Sequence, residues 1–177
     1  TLRELMPDPS SLQDMDAAVE RLVRAVTQKE TVAIFGDYDV DGACSAALLA
    51  SFLHASGVPH LVRIPDRIFE GYGPNAEAIK ELRAAGASLL VTVDCGTTSH
   101  EVLAGAKTLG LDVIVLDHHQ APESLPDALV VNPNRQDDLS RLGALCAAGV
   151  VFMALVGLNR ALRSMGFWTA SRPAPDL

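Results

Sequence analysis

The chain has 177 residues, of which 49% are hydrophobic and 20% charged, and its net charge is −8. That length suits one domain with a sizeable core, and the composition excludes a disordered tail, a collagen-like fibre and a disulfide scaffold. The acidic balance counts against a broad basic face for nucleic acid. It is less decisive if aspartates hold metal, since two divalent cations would bring −8 to −4.

No apolar run is expected to reach the roughly 18 residues needed to cross a bilayer. The opening TLRELMPDPSS lacks the basic-then-apolar layout of a signal peptide. Cys44, Cys95 and Cys146 are widely spaced and form no Cys-x-x-Cys pair. A reducing, cytoplasmic setting without membrane attachment is therefore expected.

Residues 10–29 place Leu12, Met15, Val19, Leu22, Val23 and Val26 at helical spacing, with Ser10 or Ser11 as the N-cap. Strand-type runs then appear at Thr31–Phe35, His60–Ile64, Ser88–Val93 and Leu111–Leu116. Helical stretches separate them, at Ala43–Ser56, Asn75–Ala85 and Ser99–Leu109, and Gly57, Gly86 and Gly110 fall where these should stop. A fifth short strand is expected at Ala128–Val131, followed by one long apolar helix over Leu142–Met165. This alternation predicts βαβ units, and VAIF, LLVTV and VIVL are continuously apolar, as strands covered on both faces should be. The expected fold is α/β, a mostly parallel five-stranded sheet flanked by helices over residues 30–170. A helical lead-in at 1–29 is expected before it, and the polar, proline-bearing 171–177 is expected to be a linker or a cut edge.

The acids fall at strand ends. The first strand ends in Gly36-Asp37-Tyr38-Asp39-Val40-Asp41-Gly42, the third in Asp94, and the fourth in Asp117-His118-His119. In open α/β sheets ligands bind outside the carboxyl ends of the strands, where strand order reverses. With order 2-1-3-4, these groups would converge on one crevice and repel one another unless cations occupied it. Oxygen ligands with one or two imidazoles suit Mn²⁺, Mg²⁺, Co²⁺ or Zn²⁺, and the oxygen-rich balance favours Mn²⁺ or Mg²⁺. Taken alone, Asp94 can simply cap the next helix, and His118-His119 can be an ordinary turn. An EF-hand is excluded, because the glutamate required at its twelfth position is Leu48 here.

GDYDVDG (36–42), VDCG (93–96) and LDHH (116–119), in this order, resemble the motifs of the DHH phosphoesterases. IPDR (64–67) and EGYG (70–73), with Val131-Asn132-Pro133 and LCAAGVVF (145–152), are similar to the branch of bacterial single-strand-specific 5′→3′ exonucleases. The resemblance implies a centre of two divalent metal ions, Mn²⁺ or Mg²⁺. Asp39 and Asp41 would each serve one metal, Asp94 would bridge both, and His118 would be a further ligand. Asp117 would orient His118 or its neighbour, and His119 would bind the scissile phosphate or protonate the leaving oxygen. The family often has a histidine four residues before the first aspartate of its Asp-x-Asp pair. Phe35 stands there, and Asp37 is the substitute ligand.

The resemblance also implies single-stranded DNA as substrate, with repair or replication proteins as partners. A fourth family motif, with another metal-binding aspartate, has no match after Asp138, so an N-terminal fragment lacking C-terminal substrate-binding domains is expected. Arg63 and Arg67 are candidates for a phosphate contact, with surface solvation or an ion pair with Glu70 as the alternative. Gly42 can offer its backbone N–H to a phosphate or serve close helix–strand packing. Tyr72 is read as stacking on a base or packing under its glycine-rich loop, and Cys95 as a small buried thiol rather than a ligand. The long apolar helix is read as the cover toward the missing neighbour rather than an oligomer face. The competing functions are a DHH hydrolase of short oligoribonucleotides or nucleoside bisphosphate, and a non-catalytic scaffold.

Overall fold

A computed structural model describes residues 5–175. After a 3₁₀ turn at Pro9–Ser11, the elements are α1 (Met15–Gln28), β1 (Val32–Gly36), α2 (Val40–Ala55), β2 (His60–Arg63), α3 (Ala76–Ala84) and β3 (Leu89–Val93). Then come α4 (His100–Thr108), β4 (Asp112–Leu116), β5 (Leu129–Val131) and α5 (Ala147–Ser164). The sheet has five strands in the order β2-β1-β3-β4-β5, and every neighbouring pair is parallel. Strand order therefore reverses between β1 and β3, and the carboxyl ends of β1, β3 and β4 lie side by side, as expected.

Alternation along each strand splits the interior in two. Val32, Ile34, Leu89, Val91, Val93, Ile114 and Leu116 face a core completed by α1, α2 and α5. Ala33, Phe35, Leu90, Val113 and Val115 face the other side, against Ile79, Leu82 and Leu103 of α3 and α4. Phe35 is fully buried there and carries packing. Gly57, Gly86 and Gly110 all have positive φ and close α2, α3 and α4.

Three helix starts differ from expectation, and each difference has an identifiable hydrogen bond. Ser10 and Ser11 belong to the 3₁₀ turn capped by Asp8, and α1 begins only at Met15. Its flanking Asp14 makes no cap bond, because Arg135 draws the carboxylate away at 2.6 Å. Helix α2 begins at Val40, earlier than Ala43, because Asp39 accepts from Gly42 N at 2.9 Å. Helix α5 begins at Ala147 rather than Leu142; its cap is supplied from another element, as described below.

By length and hydropathy, Ala147–Ser164 does qualify as a possible membrane span, contrary to the sequence expectation. Half of it is buried within the domain, where Val150, Val151, Leu155, Leu158 and Leu162 join the first core, which accounts for its apolarity. Thr169, at the end of the expected domain, and Arg172, in the expected linker, form an isolated antiparallel bridge. Residues 1–4 and 176–177 lie outside the described residues.

Candidate metal centre

Two groups of three potential ligands form at the carboxyl edge of the sheet, each with its ligand atoms within 4.8 Å of one another. One is Asp37, Asp39 and Asp94; the other is Asp94, His118 and His119. Asp94 belongs to both. It follows β3 directly and adopts a left-handed backbone with φ of 60°, which aspartate tolerates better than most residues. Its side chain is 1% exposed, and neither carboxylate oxygen has a hydrogen-bond partner. His118 Nε2 lies 3.3 Å from Asp94 Oδ1. Burial, with the adjoining Asp39 and Asp41 carboxylates, raises the Asp94 carboxyl to about 8. A buried, unsatisfied carboxylate among other acids is costly unless a cation or proton neutralises it. The oxygen-rich donor set fits a hard divalent cation.

Asp37 is also buried, with an unpartnered Oδ1, and burial raises its carboxyl above the ordinary range. Asp39 is held lower by the Gly42 N–H that it caps. Asp41 lies outside both triads. Its two oxygens accept from Ala147 N at 2.7 Å and Ala148 N at 2.8 Å, capping α5 across the domain. The same carboxylate lies 3.6 Å from His118 Nε2, so it touches the centre and the helix together.

Asp117 is buried and orients His119 rather than the His118 ring. Its Oδ1 accepts from His119 Nδ1 at 2.8 Å and from the backbone N–H of His118 and His119. Its Oδ2 accepts from Thr97 N at 3.2 Å and Thr97 Oγ1 at 2.6 Å. Burial alone would raise the Asp117 carboxyl, but bonds from Thr97, His119 and His118 outweigh it and hold the carboxyl low. Burial likewise opposes charge on His119, yet Asp117 wins and the imidazole is raised. His119 remains 47% exposed, so it can meet a ligand while braced from behind.

The expected substrate contacts separate. Arg63 pairs with Glu70 at 2.7 Å, the ion pair among its expected alternatives. Arg67 lies 5.2 Å over the Tyr38 ring, and its charge favours the ionised form of Asp37. The Gly42 N–H is already engaged by Asp39, which removes it as a phosphate donor. Glycine is required there for packing, since a Cβ would lie 2.5 Å from Asp37 O. Gly42→Ala should cost about 1–3 kcal/mol by overpacking, a fall of roughly 2–12 °C in Tm on thermal unfolding. An unchanged Tm would contradict this close approach. Tyr72 is half-exposed; its hydroxyl donates to Asp94 O at 3.2 Å, and its ring stands edge-on to His119. Cys95 is a buried thiol, raised by desolvation, in agreement with its expected packing role.

Residues 31–168 match the model of the DHH family, N-terminal domain. The chain belongs to the DHH family. The DHH triplet itself is Asp117-His118-His119. Among curated DHH relatives, the single-stranded-DNA-specific exonuclease RecJ of Salmonella typhimurium is 39% identical, covering 93% of this chain and 29% of the relative. RecJ of Bacillus subtilis is 38% identical over 82% of this chain and 19% of the relative. The chain thus spans about a fifth to three-tenths of those proteins. Among solved structures, exonuclease RecJ bound to manganese has a TM-score of 0.78 at 36% identity, covering 85% of this chain and 38% of that one. RecJ from Thermus thermophilus in complex with Mn²⁺ has a TM-score of 0.72 at 31% identity, over 93% of this chain and 22% of that one.

Sequence reading missed three supports of the DHH triplet. Thr97 braces Asp117, Asn132 Nδ2 donates to His119 O at 2.9 Å, and Asn134 Nδ2 donates to His118 O. The Val131-Asn132-Pro133 match marked the segment, but polar residues after strands are too common to reveal such pairing.

Proposed function

We propose that this chain carries the metal-dependent centre of a single-stranded-DNA-specific 5′→3′ exonuclease acting in DNA repair and recombination. The observation that carries the reading is the buried, unpartnered Asp94 carboxylate shared by two clusters of ligands. The single-stranded-DNA specificity of the RecJ relatives supports the substrate, and the Mn²⁺-bound RecJ structures support the ion.

In this reading Asp37, Asp39, Asp94 and His118 hold two divalent ions, Mn²⁺ or Mg²⁺, with Asp94 between them. Asp41 is the further ligand that ties the centre to α5. Bound ions there neutralise phosphate charge and make water a better nucleophile. His119 binds the scissile phosphate or gives a proton to the leaving oxygen, held in place by Asp117. Arg67, at the rim, contacts a phosphate, and Arg63 fixes the loop that carries it through Glu70. The net charge of −8 supplies little general attraction for DNA. We assign the basic channel to the much longer polypeptide that the RecJ relatives possess, and repair or replication proteins to its partners. A DNA substrate and three free thiols support a cytoplasmic setting.

The test is hydrolysis of a 5′-phosphorylated single-stranded oligonucleotide in Mn²⁺, by this chain and by a longer polypeptide carrying it. Mononucleotide release that stops on chelation is the expected result. Cleavage of dinucleotides with none of long strands would redirect the substrate to short oligonucleotides. No hydrolysis by the longer polypeptide would sink the reading in favour of a scaffold.

A further inference from the structure

Behind the exposed His119 lies a closed chain of hydrogen bonds that no ligand role explains. Asn132 is fully buried. Its Oδ1 accepts from Asn134 N at 2.8 Å, while its Nδ2 donates to Thr97 Oγ1 at 3.0 Å and to His119 O at 2.9 Å. Turning the amide over would set oxygen against the His119 carbonyl and NH₂ against the Asn134 N–H, so its orientation is determined. The Thr97 hydroxyl accepts from Asn132 Nδ2 and donates its own proton to Asp117 Oδ2 at 2.6 Å, an oxygen that also accepts from Thr97 N. Asp117 Oδ1 already accepts from the backbone N–H of His118 and His119, so both carboxylate oxygens are acceptors and the proton in the 2.8 Å contact with His119 belongs on Nδ1. The Tyr72 hydroxyl agrees. It directs its proton to Asp94 O, and so offers only a lone pair toward His119 Nδ1 at 3.4 Å.

We infer that Thr97 and Asn132 are positioning residues that fix His119 as its Nδ1–H tautomer, leaving Nε2 for the reacting phosphate group. The inference deepens the phosphodiesterase reading and rests on it for the role of His119. A wrong tautomer would aim a lone pair at Asp117 and lose the brace, since a carboxylate cannot donate. Neither residue touches substrate in this scheme. Both act through Asp117 and the His119 carbonyl.

The test is ¹⁵N NMR of histidine-labelled, metal-free protein at about pH 9, above the ordinary imidazole range. The unaltered chain and Thr97→Ser, which keeps the hydroxyl, should show a single Nδ1–H pattern for His119. Thr97→Val and Asn132→Ala should lose that pattern and show mixed tautomers, while His60 keeps its own signals. A folded Thr97→Val protein that retains the single Nδ1–H pattern would overturn the inference. Unfolding of both variants would overturn it too, assigning the pair to stability alone. Because the tautomer is read without metal or DNA, failure here is distinguishable from failure of the nuclease reading.

Discussion

Asp94→Asn should stabilise the metal-free chain and abolish its stabilisation by Mn²⁺. The carboxylate is buried with no hydrogen-bond partner and feels the charges of Asp39 and Asp41, so its own charge opposes folding unless a proton or cation answers it. The neutral amide removes that opposition. The expected gain is about 2–4 kcal/mol at about pH 8, or roughly 5–15 °C in Tm. Saturating Mn²⁺ should add about 2.7 kcal/mol to the original chain at a hundredfold excess over Kd. It should add almost nothing to the variant, so the order of the two melting curves narrows or reverses with metal. An Asp94→Asn protein that is less stable without metal would show that the residue is only a turn former.

The same group predicts a slope with pH. Its folded-state carboxyl lies at about 8, above the ordinary value, so the folded chain retains a proton that the unfolded chain releases. Stability from this source is complete below about pH 4 and is lost as pH rises toward 8. The raised Asp37 and His119 groups act in the same sense. Asp39 and Asp117, whose carboxyls are lowered, finish titrating at lower pH. Metal-free Tm should therefore fall between about pH 5 and pH 8, with a shallower fall in Asp94→Asn. The Mn²⁺ increment should grow over the same range. A Tm rising with pH in that window would contradict the charge assignment.

His119→Ala should separate chemistry from metal binding. A positioned acid contributes about 10²–10⁴ in rate, so Mn²⁺-dependent cleavage should fall by about that factor. The thermal shift with Mn²⁺ should persist, because the Asp37–Asp39–Asp94 group and His118 remain. His119 also belongs to the second ligand triad, which makes the distinction worth measuring. Loss of the Mn²⁺ shift together with the rate would reassign His119 as a ligand.

The parallel sheet was legible because apolar runs, helical stretches and closing glycines repeat in order along the chain. Burial on both faces demands such runs, and their spacing demands crossover helices. The helix starts were less legible. Asp39 acts within four residues, yet α5 takes its cap from Asp41, more than a hundred positions earlier. Local propensity holds no record of such a bond. The converging acids were legible by their place at strand ends, but the uses of the individual groups were not. Arg63 went to Glu70, Gly42 N–H to Asp39, and Asp117 to His119 rather than the His118 ring.

By itself the sequence determined the order of the elements, the burial of Phe35 in a strand and the concentration of acids at three strand ends. Those features depend on residue type and local periodicity, which survive in one dimension. Only the tertiary structure decided that Asp94 stands in both clusters without a partner, and that Asn132 and Thr97 brace the histidine pair from behind. Hydrogen bonds and charge repulsion act over a few ångströms, and which groups come that close is set by how the strands and helices pack.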